Sequence, residues 1–253
     1  MRLQKLIKRS CVLAMLGYAV ELRTLEPSLK DMLNPRWHTE APVRLMMKRL
    51  ATLLPFLYQK YGERGVKALQ FVFYQVGVDR APLMRQALDI DVNDARSLGR
   101  VLDYEDGLVG VRGEWTEECR GRAVKEERYC PAAGELASCP EVCTKLLMAM
   151  EAGTFSVLNP QLKAPELTKL LSRGDDCCLA VLELPKAVVG ARAREQSPQA
   201  MPGAFPPVIK APGLRWKLAA SGMASLLMAL VKLALSGPDQ PMHSYEFFRY
   251  NPG

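Results

Sequence analysis

A change of hydrophobic pattern near residue 95 is the feature that most restricts the fold of this chain. Upstream, apolar residues recur at helical spacing through residues 41–61 and again through 63–88. Between 95 and 136, apolar side chains stand among glycines and charges, a pattern typical of short strands and turns. An apolar run over 177–184 predicts another strand. The pattern therefore predicts helices in the first part of the chain and short strands after them.

Proline and glycine divide the helical part of the chain. Pro42 stands where a first-turn proline is tolerated, whereas Pro55 lies inside the apolar pattern and is expected to bend or break the helix. Gly62 is expected to end the first helical run, after which Glu63 begins the second. Leu108, Val109, Val111 and Trp115 are the apolar residues of the predicted strand region.

Composition divides the chain into four segments. Residues 1–40 are predicted to be an N-terminal helical arm, and residues 41–185 the main domain, whose α+β small-molecule-binding character is implied by the resemblance described below. Five prolines mark residues 186–214 as a linker or a long surface segment. Residues 215–253 then form a predicted apolar helix and tail, so the α+β domain carries an extra C-terminal linker and apolar helix.

Two apolar segments bear on targeting and partners. Residues 1–22 combine a basic start with a short apolar run, which reads as a secretory signal or as an amphipathic helix. Residues 218–235 are interrupted by Lys232 and two serines, which favours a buried or docking helix over a membrane span. Through residues 214–235 the chain would form a homo-oligomer or contact a membrane surface peripherally.

Charge and residue counts exclude several kinds of function. The net charge of +7 suits a carboxylate substrate, a membrane surface or nucleic acid equally well. Aromatic and basic residues do not alternate as in single-strand nucleic-acid binders, so no nucleic acid is expected as a partner. With only two histidines, most His-based metal sites and Ser/His/Asp triads are excluded. Seven cysteines, an odd number, favour a reducing and therefore cytoplasmic location.

Five of the seven cysteines lie between residues 130 and 178, so chemistry is most expected there. Cys139 and Cys143 are four apart at a predicted helix start, and Leu147 and Met150 continue the same face. The helix N-terminus would favour the thiolate form of such cysteines. Cys143 is therefore either a nucleophile or metal ligand, or a small buried residue on the core face.

Cys177 and Cys178 open the predicted strand, directly after Asp175 and Asp176. Because adjacent strand residues point to opposite faces, only one of these two thiols can share a pocket with Cys143. The two aspartates read either as ordinary turn residues or as a source of one carboxylate for the pocket, acting as ligand or base.

The order of these motifs resembles the L-2-amino-thiazoline-4-carboxylic acid hydrolase-like family and the related 4-vinyl reductase small-molecule-binding domains. The resemblance rests on Cys130-Pro131, Cys143, Asn159-Pro160, and the segment 174–178 with Cys178 as the family's strand cysteine. It covers about residues 40–185 and implies an α+β fold, with N-terminal helices packed on a small antiparallel sheet. The doubled cysteine at 177–178 departs from the single cysteine of the family.

The resemblance implies a small-molecule substrate, carboxylated or sulfur-containing, bound near the cysteines and opened hydrolytically. Catalytic residues would be Cys143, Asp175 and Cys178, with Leu147, Met150 and Asn159 contacting the substrate. Cys130, Cys143 and Cys178 are also the set that would hold a divalent metal such as zinc or manganese. The alternatives are a non-catalytic ligand- or redox-sensing cysteine domain, or an accessory protein that docks through its C-terminal apolar helix.

Overall fold

The computed structural model describes residues 37–185. The segment before residue 37, the Pro-rich linker and the apolar C-terminal helix predicted from the sequence lie outside these residues. The described part contains helices packed with an antiparallel sheet, which confirms the predicted α+β class. Its elements in chain order are α1 (Trp37–Ala87), α2 (Ala95–Leu98), α3 (Arg100–Val109), β1 (Arg112–Glu118), β2 (Arg122–Tyr129), α4 (Ala133–Leu136), a π-helical segment (Val142–Leu147), α5 (Met148–Leu158), β3 (Lys163–Leu167), a 3₁₀ turn (Leu171–Arg173) and β4 (Cys178–Glu183).

The long helix α1 consists of two arms joined at Gly62. This residue has φ +59° and ψ −154°, a conformation that glycine adopts without the steric cost of a Cβ. The predicted break at Gly62 is therefore present. The helix continues past Pro55, however, so the predicted break there is wrong, and the non-helical backbone inside α1 is at Gly62.

Residues 95–109 are helical, not the strands and turns predicted from their composition. Asp94 begins α2 as its N-cap, because its side chain accepts a hydrogen bond from the backbone N–H of Ser97. Gly110 ends α3 in a left-handed conformation with φ +80°. Leu108 and Val109 thus end a helix, and the strands begin only at Arg112.

The four strands form an antiparallel sheet in the order β1-β2-β4-β3. β4 matches the strand predicted over 177–184. In the β2–β4 pair, Glu127 lies opposite Cys178 and Lys125 lies opposite Ala180. Opposed residues and their neighbours two positions away share one face of a sheet. Lys125, Glu127, Cys178 and Ala180 therefore all lie on the same face.

Two clusters of buried side chains form the core. One joins the sheet to α2, α3 and the ends of α1 and α5, and includes Ala123, Ala180 and Leu182. The other joins the first arm of α1 to α4 and the π-helical segment, and includes Leu54 and Leu146. A cavity between the sheet and the helices is lined by side chains from both clusters and by residues packed against them.

Helices α1 and α5 approach each other closely at two glycines. A Cβ on Gly77 would overlap the carbonyl oxygen of Met150 and lie 2.8 Å from the backbone nitrogen of Thr154. A Cβ on Gly153 would overlap the carbonyl oxygen of Tyr74. The contact that positions α5 therefore requires a residue without a Cβ at both positions, which only glycine provides. Among the helices of residues 37–185, none has the length and hydropathy needed to cross a membrane.

Candidate active site

A cavity of about 380 Å³ lies among α1, α3, the inner face of the sheet and the segment that leads into α5. This volume falls within the range of ligand-binding pockets in proteins. Its wall is mainly apolar and includes Met47, Phe73 and Leu102. Met46 and Leu108, which are exposed, also line it and place its mouth between α1 and the end of α3.

Ionisable side chains from four elements interrupt this apolar wall. Arg80 comes from α1, Glu105 and Asp106 from α3, Glu127 from β2 and Glu151 from α5. Glu151 is only 3% exposed. Ionised groups are costly to bury unless they are paired, so the partners of each group determine which of them remain charged.

Arg80 binds two carboxylates at once. It forms an ion pair with Glu105, its Nη2 lies 3.1 Å from Oε1 of Glu151, and its Nε donates to Oγ1 of Thr154 at 2.9 Å. Burial raises the pKa of Glu105 well above its usual range, and Glu151 adds to this effect while Arg80 only partly offsets it. Oε2 of Glu151 has no hydrogen-bond partner among the described atoms, whereas Oε1 of Glu105 is the oxygen that faces Arg80.

Lys125 neutralises the carboxylates at the back of the cavity. Its Nζ lies 2.9 Å from Oδ1 of Asp103 and 2.5 Å from Oδ2 of Asp106, although Lys125 itself is buried. Trp115 also donates its indole N–H to Oδ1 of Asp103, at 2.9 Å. Burial nevertheless raises the pKa of Asp106 to about 6, against the opposing effect of Lys125.

Glu127 is the carboxyl side chain of the cavity that has no partner. It forms no hydrogen bond and no ion pair with any residue of the described segment, and it lies on the cavity wall. Burial raises its pKa to about 8, and the nearby charge of Asp106 acts in the same direction. At neutral pH, Glu127 is therefore mostly a neutral carboxylic acid with an O–H to donate.

Replacing Glu127 by glutamine is expected to change how stability depends on pH. Since the folded-state pKa of Glu127 is raised from 4.5 to about 8, the folded protein binds its proton more tightly than the unfolded chain does. The associated stability is complete below the unfolded pKa and is lost as the pH rises through about 8. Glu127→Gln should remove this loss and stabilise the protein by about 1–3 kcal/mol near pH 9.

Urea unfolding of wild type and variant from about pH 5 to about pH 9 measures this effect. Glu126→Gln is the matched control, because Glu126 is the same residue type on the same strand but points to the opposite face. The expectation is contradicted if Glu127→Gln and the wild type lose the same free energy of unfolding over this range.

Two of the predicted site cysteines, Cys130 and Cys143, line the cavity. Cys178 lies nearby, since its pKa is influenced by Glu127, Cys143 and Cys130, whereas Cys177 is influenced by Asp176 and Lys169. The structure thus brings Cys178, not Cys177, to the side of Cys143. The Cys143 sulfur lies 3.9 Å from the Ser172 hydroxyl.

The cysteine thiols in and around the cavity are not activated as thiolates by a helix N-terminus. Burial raises the pKa of Cys143 to about 12 and also raises those of Cys139, Cys130 and Cys178. Cys143 is the second residue of the π-helical segment, so it does lie near a helix start. The predicted effect of the helix dipole is therefore outweighed by desolvation.

The remaining predicted residues divide into cavity residues and structural residues. Leu147 and Met150 line the cavity as expected. Asp175 is exposed, and its carboxylate accepts the backbone N–H of Leu170 at 2.7 Å, which is the role of a turn residue. Asn159 ends α5, where its amide donates to the carbonyl of Val92 and its Oδ1 accepts from Gln161.

The described residues do not support the predicted metal set. Within residues 37–185, no group of three or more His, Cys, Asp or Glu side chains is arranged to hold a metal ion, and Cys130, Cys143 and Cys178 are no exception. The Cys178 sulfur instead accepts the backbone N–H of Leu171, at 3.4 Å. Metal-binding thiols must also lose their protons, which the burial of Cys143 opposes.

The carboxyl groups and Arg80 are functional candidates that the sequence analysis did not identify. The sequence pattern that could have identified them is a charged residue at a position that shares the apolar face of its helix or strand. Glu105 and Asp106 follow Leu102 by three and four residues, which is the spacing of one helix face. Arg80 follows Phe73 by two helical turns. Lys125 and Glu127 lie two and four residues after Ala123, on the same face of β2.

No protein-family model matches the chain, and no curated protein matches it either.

Proposed function

We propose that this chain is an enzyme that binds a small organic molecule in the cavity and hydrolyses it by acid–base catalysis from the carboxyl groups. The observation that carries the proposal is that Glu127 lies without a partner in an apolar cavity, beside the pair of carboxyl groups of Glu105 and Glu151. Buried carboxyl groups with displaced pKa values, gathered in one concave site, are typical of enzyme active sites.

The two kinds of carboxyl group suit different steps of a hydrolysis. Glu127, mostly protonated at neutral pH, would donate its proton to the departing sulfur or nitrogen atom. The pair of Glu105 and Glu151 shares one cation, Arg80, so a carboxylate remains there to accept a proton from an attacking water. The water oxygen bonds to the electrophilic carbon, and the bond to the leaving atom breaks.

Cys143 offers a competing route through a covalent intermediate. Its thiol lines the cavity, but a pKa of about 12 keeps it neutral, so a base would have to remove the proton during attack. Asp175 does not supply that base, because it is exposed and its carboxylate is hydrogen-bonded within its own turn. The geometry therefore favours carboxyl catalysis over the cysteine and aspartate pair predicted from the sequence.

Ring opening of a thiazoline carboxylate is the first reaction to test, because the resemblance points to it. Incubation with 2-amino-thiazoline-4-carboxylate should yield a product that has gained one water, detected by mass spectrometry. Glu127→Gln should lower turnover about 100-fold, the usual effect of losing a general acid. Cys143→Ser should leave turnover within about tenfold of wild type, because the route does not pass through its sulfur.

The two variants separate the routes. If Cys143→Ser abolishes turnover while Glu127→Gln keeps it, the cysteine route is correct and the carboxyl assignment fails. Glu126→Gln, on the outer face of β2, again serves as the matched control and should be as active as the wild type.

A redox-sensing role is the second interpretation of the same cavity, since Cys130 and Cys143 line it and Cys178 lies beside them. Oxidation of a thiol requires the thiolate form, and burial raises the pKa of Cys130, Cys143 and Cys178. These thiols are therefore poorly suited to react with oxidants at neutral pH, which favours the enzyme over the sensor.

A further inference from the structure

We infer that the cavity selects an organic cation with an apolar body, whose positive group pairs with Glu127. This assignment goes beyond the proposed function and shares only its cavity, because the cation pairs with the ionised form of Glu127 whereas the hydrolysis uses the protonated form. It also differs from what the net charge of the chain suggests, because the excess of basic residues is not found at this site.

The first argument is the balance of charged groups on the cavity wall. Four carboxyl side chains line it, at Glu105, Asp106, Glu127 and Glu151, against one described cation, Arg80. Arg80 is already engaged by Glu105 and Glu151, and Lys125 behind the wall is engaged by Asp106. Neither cation is left to receive an anion, so a ligand whose net charge is negative finds no partner in the described wall.

The second argument is the isolation of Glu127. Glu127 is half-buried, and a polar group on an apolar cavity wall takes its hydrogen bonds from the protein, from water or from a ligand. Glu127 lies on the cavity wall with no partner in the described segment, whereas every other carboxyl group of the wall is bound to Arg80 or Lys125. A cation in the cavity would supply the missing partner, while the surrounding methionine, leucine and phenylalanine side chains would bury an apolar body.

Binding of a cation should be coupled to loss of a proton. The charged groups that influence the pKa of Glu127 are Lys125 beside it on β2 and three carboxyl groups on α3: Asp103, Glu105 and Asp106. The other titratable and charged groups around the cavity are the ion pair of Arg80 with Glu151 and three thiols: Cys130, Cys143 and Cys178. Burial, together with the nearby charge of Asp106, keeps the Glu127 pKa at about 8, so below this pH a cation must displace the proton. Affinity for a cation should then rise with pH, whereas affinity for a neutral ligand should not.

Three probes with the same chain and different end groups test this inference: hexylammonium, hexan-1-ol and hexanoate. Calorimetric titration of the full chain near pH 8 should find hexylammonium bound about tenfold to a hundredfold more tightly than hexan-1-ol, with hexanoate weakest. At about pH 6 only about 1% of Glu127 is ionised if its pKa is about 8, so most of this advantage should be lost there, and it should disappear in Glu127→Gln. Glu126→Gln should keep it.

A neutral apolar dye, N-phenyl-1-naphthylamine, separates this inference from the proposed function. If the dye binds in the cavity but hexylammonium has no advantage over hexan-1-ol, the cavity binds small molecules and the charge assignment is overturned. Binding of hexanoate in preference to the other probes also overturns it. If neither dye nor probes bind, the inference and the small-molecule cavity of the proposed function both fail.

Discussion

Replacing Gly153 by alanine is expected to destabilise the protein by about 3 kcal/mol, although alanine normally favours a helix over glycine. The new Cβ would overlap the carbonyl oxygen of Tyr74 and lie 3.0 Å from the backbone nitrogen of Val78. Both atoms belong to the backbone of α1, so the clash is relieved only by moving one whole helix away from the other. Thermal unfolding should show the melting temperature lowered by roughly 6–12 °C.

Gly134→Ala is the matched control for this variant. Gly134 also lies in a helix, α4, but a Cβ there would meet no atom within 4 Å. Without a clash, the higher helix propensity of alanine should leave stability unchanged or raise it by up to about 1 kcal/mol. If Gly153→Ala is as stable as Gly134→Ala, α1 and α5 do not make the backbone contact described above.

The sequence was sufficient to predict the α+β class, the break at Gly62 and the strand that begins at Cys178. Each of these depends on local signals: the period of apolar residues, a glycine between two helical patterns, and a continuous apolar run. The error over residues 95–109 has a local cause as well. Glycines and charges were read as turns there, whereas Asp94 and Gly110 act as helix caps.

The site was only partly predictable, because its members are brought together by tertiary packing. The cysteine face, with Cys143, Leu147 and Met150, was found from helical spacing and does line the cavity. The protonation state of Cys143 could not be predicted in this way, because its raised pKa comes from burial by elements distant in the chain. Arg80 and Glu151 are 71 residues apart, so no sequence window contains both.

The acidity of the cavity shows why the overall charge of a chain predicts little about its ligand. The net charge of +7 is a sum over all 253 residues. A ligand in an enclosed cavity instead interacts mainly with the few groups that line it, because solvent screens the charges of the outer surface. At this cavity the carboxyl groups outnumber the cations, so the local preference is opposite in sign to the global one.

Replacing Arg80 by methionine is expected to destabilise the protein by about 3–5 kcal/mol at neutral pH. Methionine keeps much of the length of the side chain but leaves Glu105 and Glu151 facing each other without a cation. Because Arg80 opposes the rise in the Glu105 pKa, its removal raises that pKa further. The raised folded-state pKa makes the loss of stability smallest in acid and largest as the pH increases.

Two further variants show whether this loss arises from the uncompensated carboxylates. The triple variant Arg80→Met, Glu105→Gln, Glu151→Gln should recover most of the stability, because no buried charge then lacks a partner. Arg85→Met, at an exposed position near the end of the same helix, should change the free energy of unfolding by less than about 0.5 kcal/mol. Urea unfolding at about pH 5 and about pH 8 measures all three. If Arg80→Met is equally destabilised at both pH values, and the triple variant recovers nothing, Arg80 acts through packing rather than through charge, and the two carboxyl groups do not depend on it.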